Sequence, residues 1–166
     1  MRAARKKTRH LQERYPFADG GKMRPLLRRI SSSERGVDWV AVRTSSINGR
    51  GLFAVIDLPR RRKLGEISGT LERLPRARAV VANLPKIYLI ELSRRYALDC
   101  ARGNSFKYLN HSCEPNCYLR TCGKRVEVYT LHHIKAGTEL TVDYGVTPHK
   151  TGMKCACGAA RCRRIL

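Results

Sequence analysis

Short apolar runs separated by turn residues dominate the chain from residue 39 onward. Val, Ile, Leu and aromatic residues alternate with polar ones, which is the pattern of half-buried β-strands. The stretch Leu64 to Ser68 is too short to assign, and Leu71 and Leu74 are consistent with one further strand. The pattern predicts short strands at 39–43, 52–55, 87–92, 96–99, 126–131 and 139–144.

One segment has the character of a helix. Pro75 stands in its first turn, where proline is favoured, and the Ala- and Val-rich residues 76–83 follow before Pro85. Many short strands with one short helix predict an α+β domain that is mostly β.

The first 36 residues differ from the rest. They carry 11 Lys and Arg against 3 Asp and Glu, and glycine, proline and serine interrupt any periodicity. This composition predicts a basic N-terminal tail or arm at 1–36. We expect no secretory signal, because the basic N-terminus lacks an apolar core, and no membrane span, because no apolar run approaches 20 residues. An intracellular, reducing location is therefore expected.

The whole chain has 34 Lys and Arg against 13 Asp and Glu, a formal net charge of +21. Such a balance favours an anionic partner, which is nucleic acid, an acidic protein surface or anionic lipid. The alternative is that the basic surface is only solvated.

Seven cysteines in 166 residues require an explanation, since an odd number cannot all pair within one molecule. Cys155, Cys157 and Cys162 lie close in sequence and suit a tetrahedral Zn²⁺. The alternative is a set of reduced surface thiols. The residues alone leave the fourth ligand open among Cys100, Cys113, Cys117, Cys122 and a histidine.

Two further segments concentrate polar chemistry. Residues 107–117 bring an amide, an imidazole, a hydroxyl and thiols into a turn-forming stretch, which suggests a ligand site or, alternatively, a hydrogen-bonded turn. The strand at 139–144 ends in Asp143 and Tyr144, and a tyrosine in that position also suits a cover over the core.

Taken together and in order, these segments resemble a SET domain followed by a post-SET motif. The resemblance covers residues 37–164 and divides the chain into a SET domain at 37–147 and a post-SET zinc-binding segment at 148–166. It matches the minimal, stand-alone form that lacks a cysteine-rich pre-SET module. The matching motifs are Asn48–Phe53, Gly65–Gly69, Tyr96–Asp99, Gly103–Asn104, Asn110–Asn116, Glu139–Tyr144 and the closing three cysteines.

The resemblance implies a SET fold of several small β-sheets, in which the Asn-His stretch and the tyrosine-bearing strand meet in a knot-like threading. It also implies a protein-lysine N-methyltransferase that uses S-adenosylmethionine and releases S-adenosylhomocysteine. Tyr144, His111 and Asn110 would be catalytic, and Cys113 would complete a structural Zn²⁺ site with Cys155, Cys157 and Cys162. The cofactor residues implied are Asn48, Arg50, Gly51, Leu52, Lys107, Tyr108, Asn110, His111 and Tyr144.

The lysine channel would be lined by Ile67, Ser68, Leu119, Val142 and Tyr144. Ile67 and Val142 stand where many members of the family carry larger aromatic residues, so we expect a channel that admits more than one methylation. Lys107 replaces a more usual arginine, which keeps the charge but loses the planar fork.

The implied substrate is a histone or another basic, DNA-associated protein, which a chain of this charge should repel. We expect Glu66, Glu91, Glu114, Glu139 and Asp143 to supply a locally acidic field, or the basic surface and residues 1–36 to bind DNA. The expected location is the nucleus or chromosome in a eukaryote, and the cytoplasm, nucleoid or a host nucleus for a bacterial protein. The rival hypothesis is a weakly active or inactive, zinc-stabilised nucleic-acid or chromatin-binding protein on the same scaffold.

Overall fold

The computed structural model describes residues 39–82, 84, 86–145, 147 and 152–166. The predicted arm at 1–36 and the predicted boundary between residues 147 and 148 lie outside these described residues. The described residues form one α-helix, α1 (Leu74–Val81), a 3₁₀ turn (Ser105–Tyr108) and ten strands. The strands are β1 (Val40–Thr44), β2 (Arg50–Ala54), β3 (Lys63–Ile67), β4 (Thr70–Arg73), β5 (Leu89–Glu91), β6 (Tyr96–Asp99), β7 (Asn110–His111), β8 (Cys117–Cys122), β9 (Arg125–Thr130) and β10 (Glu139–Val142).

The first sheet has the order β1-β2-β10-β7 and joins distant parts of the chain. β10 runs antiparallel to β2, with Leu140 opposite Leu52, and parallel to β7, with Thr141 opposite Asn110. The predicted meeting of the Asn-His stretch with the tyrosine-bearing strand is therefore confirmed.

Two smaller three-stranded sheets, β3-β9-β8 and β4-β6-β5, complete the β structure. The main core contains side chains from the first two sheets and the 3₁₀ turn, including Leu52, Leu64, Phe106, Val128 and Leu140, each at most 2% exposed. A smaller cluster joins α1 to the third sheet. The core thus supports the first sheet at the point where β2, β7 and β10 meet.

The mostly β prediction with one short helix is confirmed, and most strands lie within two residues of their predicted bounds. Sequence reasoning missed β8, because its first residues belong to a polar stretch that indicated a turn. β3, left unassigned, is a strand with an irregular register between Lys63 and Gly65. No helix among the described residues has the length and apolarity needed to cross a membrane.

Candidate active site

A cavity of about 400 Å³ lies beside the junction of β2, β7 and β10. This volume falls in the range of small-molecule sites. Nine of the residues implied for the cofactor or the channel line it, namely Asn48, Arg50, Ile67, Lys107, Tyr108, Asn110, Leu119, Val142 and Tyr144.

A buried polar network fixes one wall of the cavity. The Asn110 amide donates to Glu139 Oε1 at 2.7 Å and to the Arg50 carbonyl at 3.0 Å. The Ser45 hydroxyl lies 2.8 and 2.9 Å from the two carboxylate oxygens of Glu139 and donates to them. Only glycine fits at position 51, since a Cβ there would overlap Glu139 Oε1. The network therefore holds the asparagine in one orientation.

Cationic and aromatic side chains form the opposite wall. The Arg50 guanidinium lies 4.5 Å from the centroid of the Tyr108 ring and donates to its hydroxyl at 3.1 Å. Tyr88 meets Tyr108 edge to face at 6.5 Å, and the Lys107 ammonium lies 5.4 Å from the Tyr108 centroid. Such a wall suits a ligand with a flat ring and an anionic group.

Tyr144 follows β10 and points its hydroxyl inward. The hydroxyl donates to the Leu109 carbonyl at 2.7 Å, although the residue as a whole is 44% exposed. Burial of the phenolic group, together with Tyr88 and Glu139 nearby, raises the pKa of Tyr144 to about 12. The phenol therefore remains a protonated donor at neutral pH.

Aliphatic side chains line the remaining part of the cavity. Ile67, Leu119 and Val142 come from β3, β8 and β10. Ser68 lies outside this wall and is exposed, where its hydroxyl accepts the Asn104 N–H at 2.8 Å.

His111 is buried behind the cavity rather than lining it. Its Nδ1 accepts the Tyr144 N–H at 3.1 Å, and its Nε2 lies 3.3 Å from the Cys113 sulfur. Burial lowers the pKa of His111, which favours the neutral ring. We therefore assign the Nε2–H tautomer, because the Tyr144 bond is shorter than the 3.4 Å contact between the Arg163 guanidinium and Nε2. The imidazole then connects Cys113 to the backbone of Tyr144.

Two of the closing cysteines, Cys155 and Cys157, lie close to Cys113. Cys113 and Cys155 sulfurs are 3.8 Å apart, which is the edge of a tetrahedron with Zn–S bonds of about 2.3 Å. The Cys113, Cys155 and Cys157 sulfurs and His111 Nε2 all lie within 4.8 Å of one another. Cys162 interacts with Cys155 and Cys157. Five donor atoms thus compete for four positions.

Backbone N–H groups surround the sulfurs. Arg163 donates to Cys113 at 3.2 Å, and Arg164 donates to Cys162 at 3.4 Å. Burial opposes ionisation of Cys157, but N–H donors from Cys113 and Ala159 lower its pKa overall to about 6. Such donors stabilise thiolates, which are the form that binds Zn²⁺.

The other thiols behave differently. Burial raises the pKa of Cys100 and of Cys117 to about 12, and Cys122 is exposed at the end of β8. All seven cysteines, these three included, are free of disulfide bonds.

The five carboxylates expected to give the site a locally acidic field are not free in the structure. Four of them are paired with basic side chains, and the fifth, Glu139, is held in the network described above. The pairs are Glu66–Lys63 at 2.8 Å, Glu91–Arg78 at 2.7 Å, Glu114–Arg161 at 2.9 Å and Asp143–Arg163 at 2.5 Å. These carboxylates therefore add little uncompensated negative charge near the cavity.

Two implied cofactor residues, Gly51 and Leu52, are buried in β2 and support the wall without lining the cavity. Sequence reasoning missed several lining residues because they belong to β5 and its flanks, whose apolar pattern predicted only a strand. The residues missed in this way are Lys86, Ile87, Tyr88, Leu89 and Ile90.

Comparison with known proteins gives one family and a consistent set of relatives. Residues 49–145 match the family described as SET domain. The chain is 33% identical over 138 residues to the histone-lysine N-methyltransferase trithorax of Drosophila virilis, covering 78% of this chain and 4% of that protein. It is 33% identical to the human histone-lysine N-methyltransferase 2B, covering 76% of this chain and 5% of that protein, and 32% identical to histone-lysine N-methyltransferase set-2 of Caenorhabditis elegans, covering 74% and 9%.

The chain thus spans less than a tenth of the length of these relatives. The matched region contains the strands that build the cavity wall, from the glycine turn before β2 to Tyr144. Because residues 49–145 match the family and its motif residues form the cavity wall, the chain belongs to the SET domain family.

Proposed function

We propose that this protein is a protein-lysine N-methyltransferase that uses S-adenosylmethionine and acts on a histone or another basic, DNA-associated protein. The observation that carries the proposal is the single cavity in which Asn48, Arg50, Asn110 and Tyr144 meet from distant parts of the sequence. The relatives are named histone-lysine N-methyltransferases, which supports the same activity.

The cavity fits the cofactor chemically. The aromatic rings of Tyr88 and Tyr108 suit a purine, and Arg50, Lys86 and Lys107 suit a carboxylate. When bound, S-adenosylmethionine supplies an electrophilic methyl group to the neutral amine of a lysine.

The residues of this chain provide orientation and desolvation. Tyr144 presents a fixed hydroxyl, and Ile67, Leu119 and Val142 exclude water from the amine. An apolar environment lowers the pKa of a lysine, which favours the neutral nucleophile. Asn110 keeps the wall rigid through Glu139 and Arg50.

We also propose that Cys113, Cys155, Cys157 and Cys162 bind one structural Zn²⁺. The tautomer of His111 supports this set, because an Nε2–H that donates to Cys113 has no lone pair for the metal. His111 is then a positioning residue that acts through the metal ligand Cys113 and the Tyr144 backbone.

The ligand set is tested by metal analysis of two variants. We expect about one zinc per chain in the wild type and in His111→Ala, and a clear loss in Cys162→Ser. Cys122→Ser, which removes an exposed thiol at the end of β8, is the matched control. Retained zinc in Cys162→Ser with loss in His111→Ala would assign the fourth position to the histidine.

The activity is tested by transfer of labelled methyl groups from S-adenosylmethionine to histones and to proteins of a cell lysate. Tyr144→Phe should lower kcat by about 100-fold with little change in cofactor affinity, since it removes one oriented donor. Tyr129→Phe is the matched control, because its hydroxyl donates to Glu127 at 3.1 Å outside the cavity.

Cofactor binding by calorimetry with no transfer to any substrate would contradict the proposed activity. It would favour the inactive chromatin-binding protein instead. For location, we propose the compartment that holds the DNA, which is the nucleus or the nucleoid.

A further inference from the structure

Three consecutive arginines form a rigid turn between β2 and β3, outside the cavity. Arg60, Arg61 and Arg62 are all exposed. Arg61 has a φ of 58°, in the left-handed region that is unfavourable for a non-glycine residue. An unfavourable backbone of this kind persists only where surrounding contacts hold it.

Thr130 supplies those contacts. It is fully buried, and its hydroxyl donates to the Pro59 carbonyl at 2.6 Å and accepts the Arg62 N–H at 2.9 Å. Its carbonyl accepts the Arg61 N–H at 3.0 Å, and its own N–H donates to the Arg62 carbonyl at 3.1 Å. The Arg60 guanidinium donates to the Leu131 carbonyl at 3.2 Å. The turn therefore has a fixed shape.

No carboxylate of the described residues neutralises the charge on this turn. In the part of the chain that the structure describes, none of the three arginines lies within 4 Å of a carboxylate. The nearby carboxylate of Asp57 instead accepts the Ala136 N–H at 2.9 Å and faces His133 at 3.7 Å. Asp57 thus joins the segment before the turn to the loop 131–136, which exposes two histidines and Lys135 and buries Ile134.

We propose that the turn Arg60–Arg62, with the adjoining loop 131–136, is a docking site for the phosphate backbone of duplex DNA. A guanidinium fork binds phosphate oxygens in pairs, and a turn whose backbone is already fixed loses little backbone entropy on binding. The unfavourable backbone of the turn is then explained by binding, because it places the three arginines side by side for contact with a polyanion.

Duplex DNA fits this surface better than single-stranded nucleic acid does. Single strands require exposed aromatic rings on which bases stack. The one aromatic side chain that contacts the turn among the described residues is Trp39, half-buried, with the Arg62 guanidinium 5.2 Å from its ring. The same loops expose Ile56 and Leu131 by 45% and 38%, so anionic lipid is included in the test.

The site is well placed for a DNA-associated substrate. β3 begins directly after the turn and ends at Ile67 in the cavity wall, and five residues of strand span roughly 13 Å. DNA on the turn would therefore keep its bound proteins near the cavity. The binding itself requires neither cofactor nor methyl acceptor, so its test is independent of the proposed activity.

The experiment measures binding of the full chain to a labelled DNA duplex by fluorescence anisotropy, from about 50 to 200 mM salt. The variant Arg60→Gln/Arg61→Gln/Arg62→Gln should bind at least tenfold more weakly at low salt. The slope of log affinity against log salt should fall by about 2–3, close to one per lost phosphate contact.

The matched control is Arg76→Gln/Arg94→Gln/Arg95→Gln, which removes the same charge from exposed positions on α1 and the β5–β6 turn. It should lose less than about threefold in affinity. A third variant, Arg60→Lys/Arg61→Lys/Arg62→Lys, keeps the charge without the forks and should lie between wild type and the glutamine variant. Circular dichroism confirms that each variant is folded, and the lysine variant remains informative if the glutamine variant does not fold.

Equal losses in both glutamine triples would overturn the proposal, because binding would then follow net charge alone. Undetectable binding of wild type to DNA would overturn it as well. Loss of binding to phosphatidylserine-containing vesicles or to polyglutamate in the Arg60–Arg62 variant, with DNA binding unchanged, would assign the site to another partner.

Discussion

At the scale of single residues, the aliphatic part of the cavity bears on which lysine products the proposed activity would form. Val142 is 2% exposed and lines the cavity beside Ile67 and Leu119. If the proposed activity holds, we expect mass spectrometry to find di- or trimethylated product at saturation with the wild type, and mainly monomethylated product with Val142→Phe. Monomethyl product alone from the wild type would contradict a roomy channel.

Gly51 is the second residue at which a substitution has a defined expected effect, here on stability. A Cβ at this position overlaps Glu139 Oε1, which Ser45 and Asn110 hold in place. Gly51→Ala should therefore lower the free energy of unfolding by roughly 1–3 kcal/mol, measured by urea denaturation. The cost should shrink in a Glu139→Ala background, where the clash with Glu139 is removed and only a 3.0 Å approach to Ser45 Cβ remains, and an unchanged cost would locate the strain elsewhere.

At the scale of elements, the β3-β9-β8 sheet has an acid-sensitive centre. Lys63 donates to Glu127 at 2.6 Å and Arg120 donates to it at 2.8 Å, so the pKa of this carboxyl is lowered to about 2. A carboxyl group whose pKa is lowered by folding stabilises the fold at every pH above its ordinary pKa. That stabilisation is lost as the pH falls toward 2.

We therefore expect the difference in unfolding free energy between wild type and Glu127→Gln to decrease as the pH falls from about 5 to 2. Denaturant titrations at matched pH give this difference, and other titrating groups cancel in it. Glu114→Gln is the control, since Glu114 pairs with the exposed Arg161. A difference independent of pH would contradict the role given to Glu127.

The elements also show what the sequence could predict. The local alternation of apolar and polar residues was sufficient to predict β6 and β10, and Pro75 was sufficient to predict the start of α1. β8 was missed because Tyr118 and Leu119 follow a polar turn and pair only with β9, a partner that local pattern does not show. The cavity residues of β5 were missed for a similar reason, since nothing local distinguishes a strand beside a cavity from one in a core.

Interactions were harder to predict than positions. The motif order placed Asn110 and Tyr144 together, but Glu139 was expected to supply charge and instead anchors the asparagine. His111 was expected in the cavity and instead connects Cys113 to Tyr144. Which polar group a side chain contacts depends on distances of a few tenths of an ångström that a motif does not contain.

At the scale of the whole molecule, we expect the cysteine-bearing segment to depend on the proposed Zn²⁺ for its order. None of the residues from 152 to 166 is buried, so this segment has little apolar packing to hold it. We expect chelation of zinc to make 152–166 sensitive to protease and to lower the thermal midpoint, measured by limited proteolysis with mass spectrometry and by a thermal shift. Continued protection of the segment after metal removal would show that Arg161–Glu114 and Arg163–Asp143 suffice.

The position of β10 has a consequence for how the chain matures. β10 is the last strand in sequence, yet it lies between β2 and β7 in the first sheet. A growing chain on the ribosome therefore exposes two unpaired strand edges until residue 142 has emerged, and such edges favour aggregation. Contacts between residues this far apart in sequence also form slowly. The cavity wall can thus be completed only after β10 and Tyr144 have been synthesised, and a chain truncated before β10 lacks the strand that joins β2 to β7.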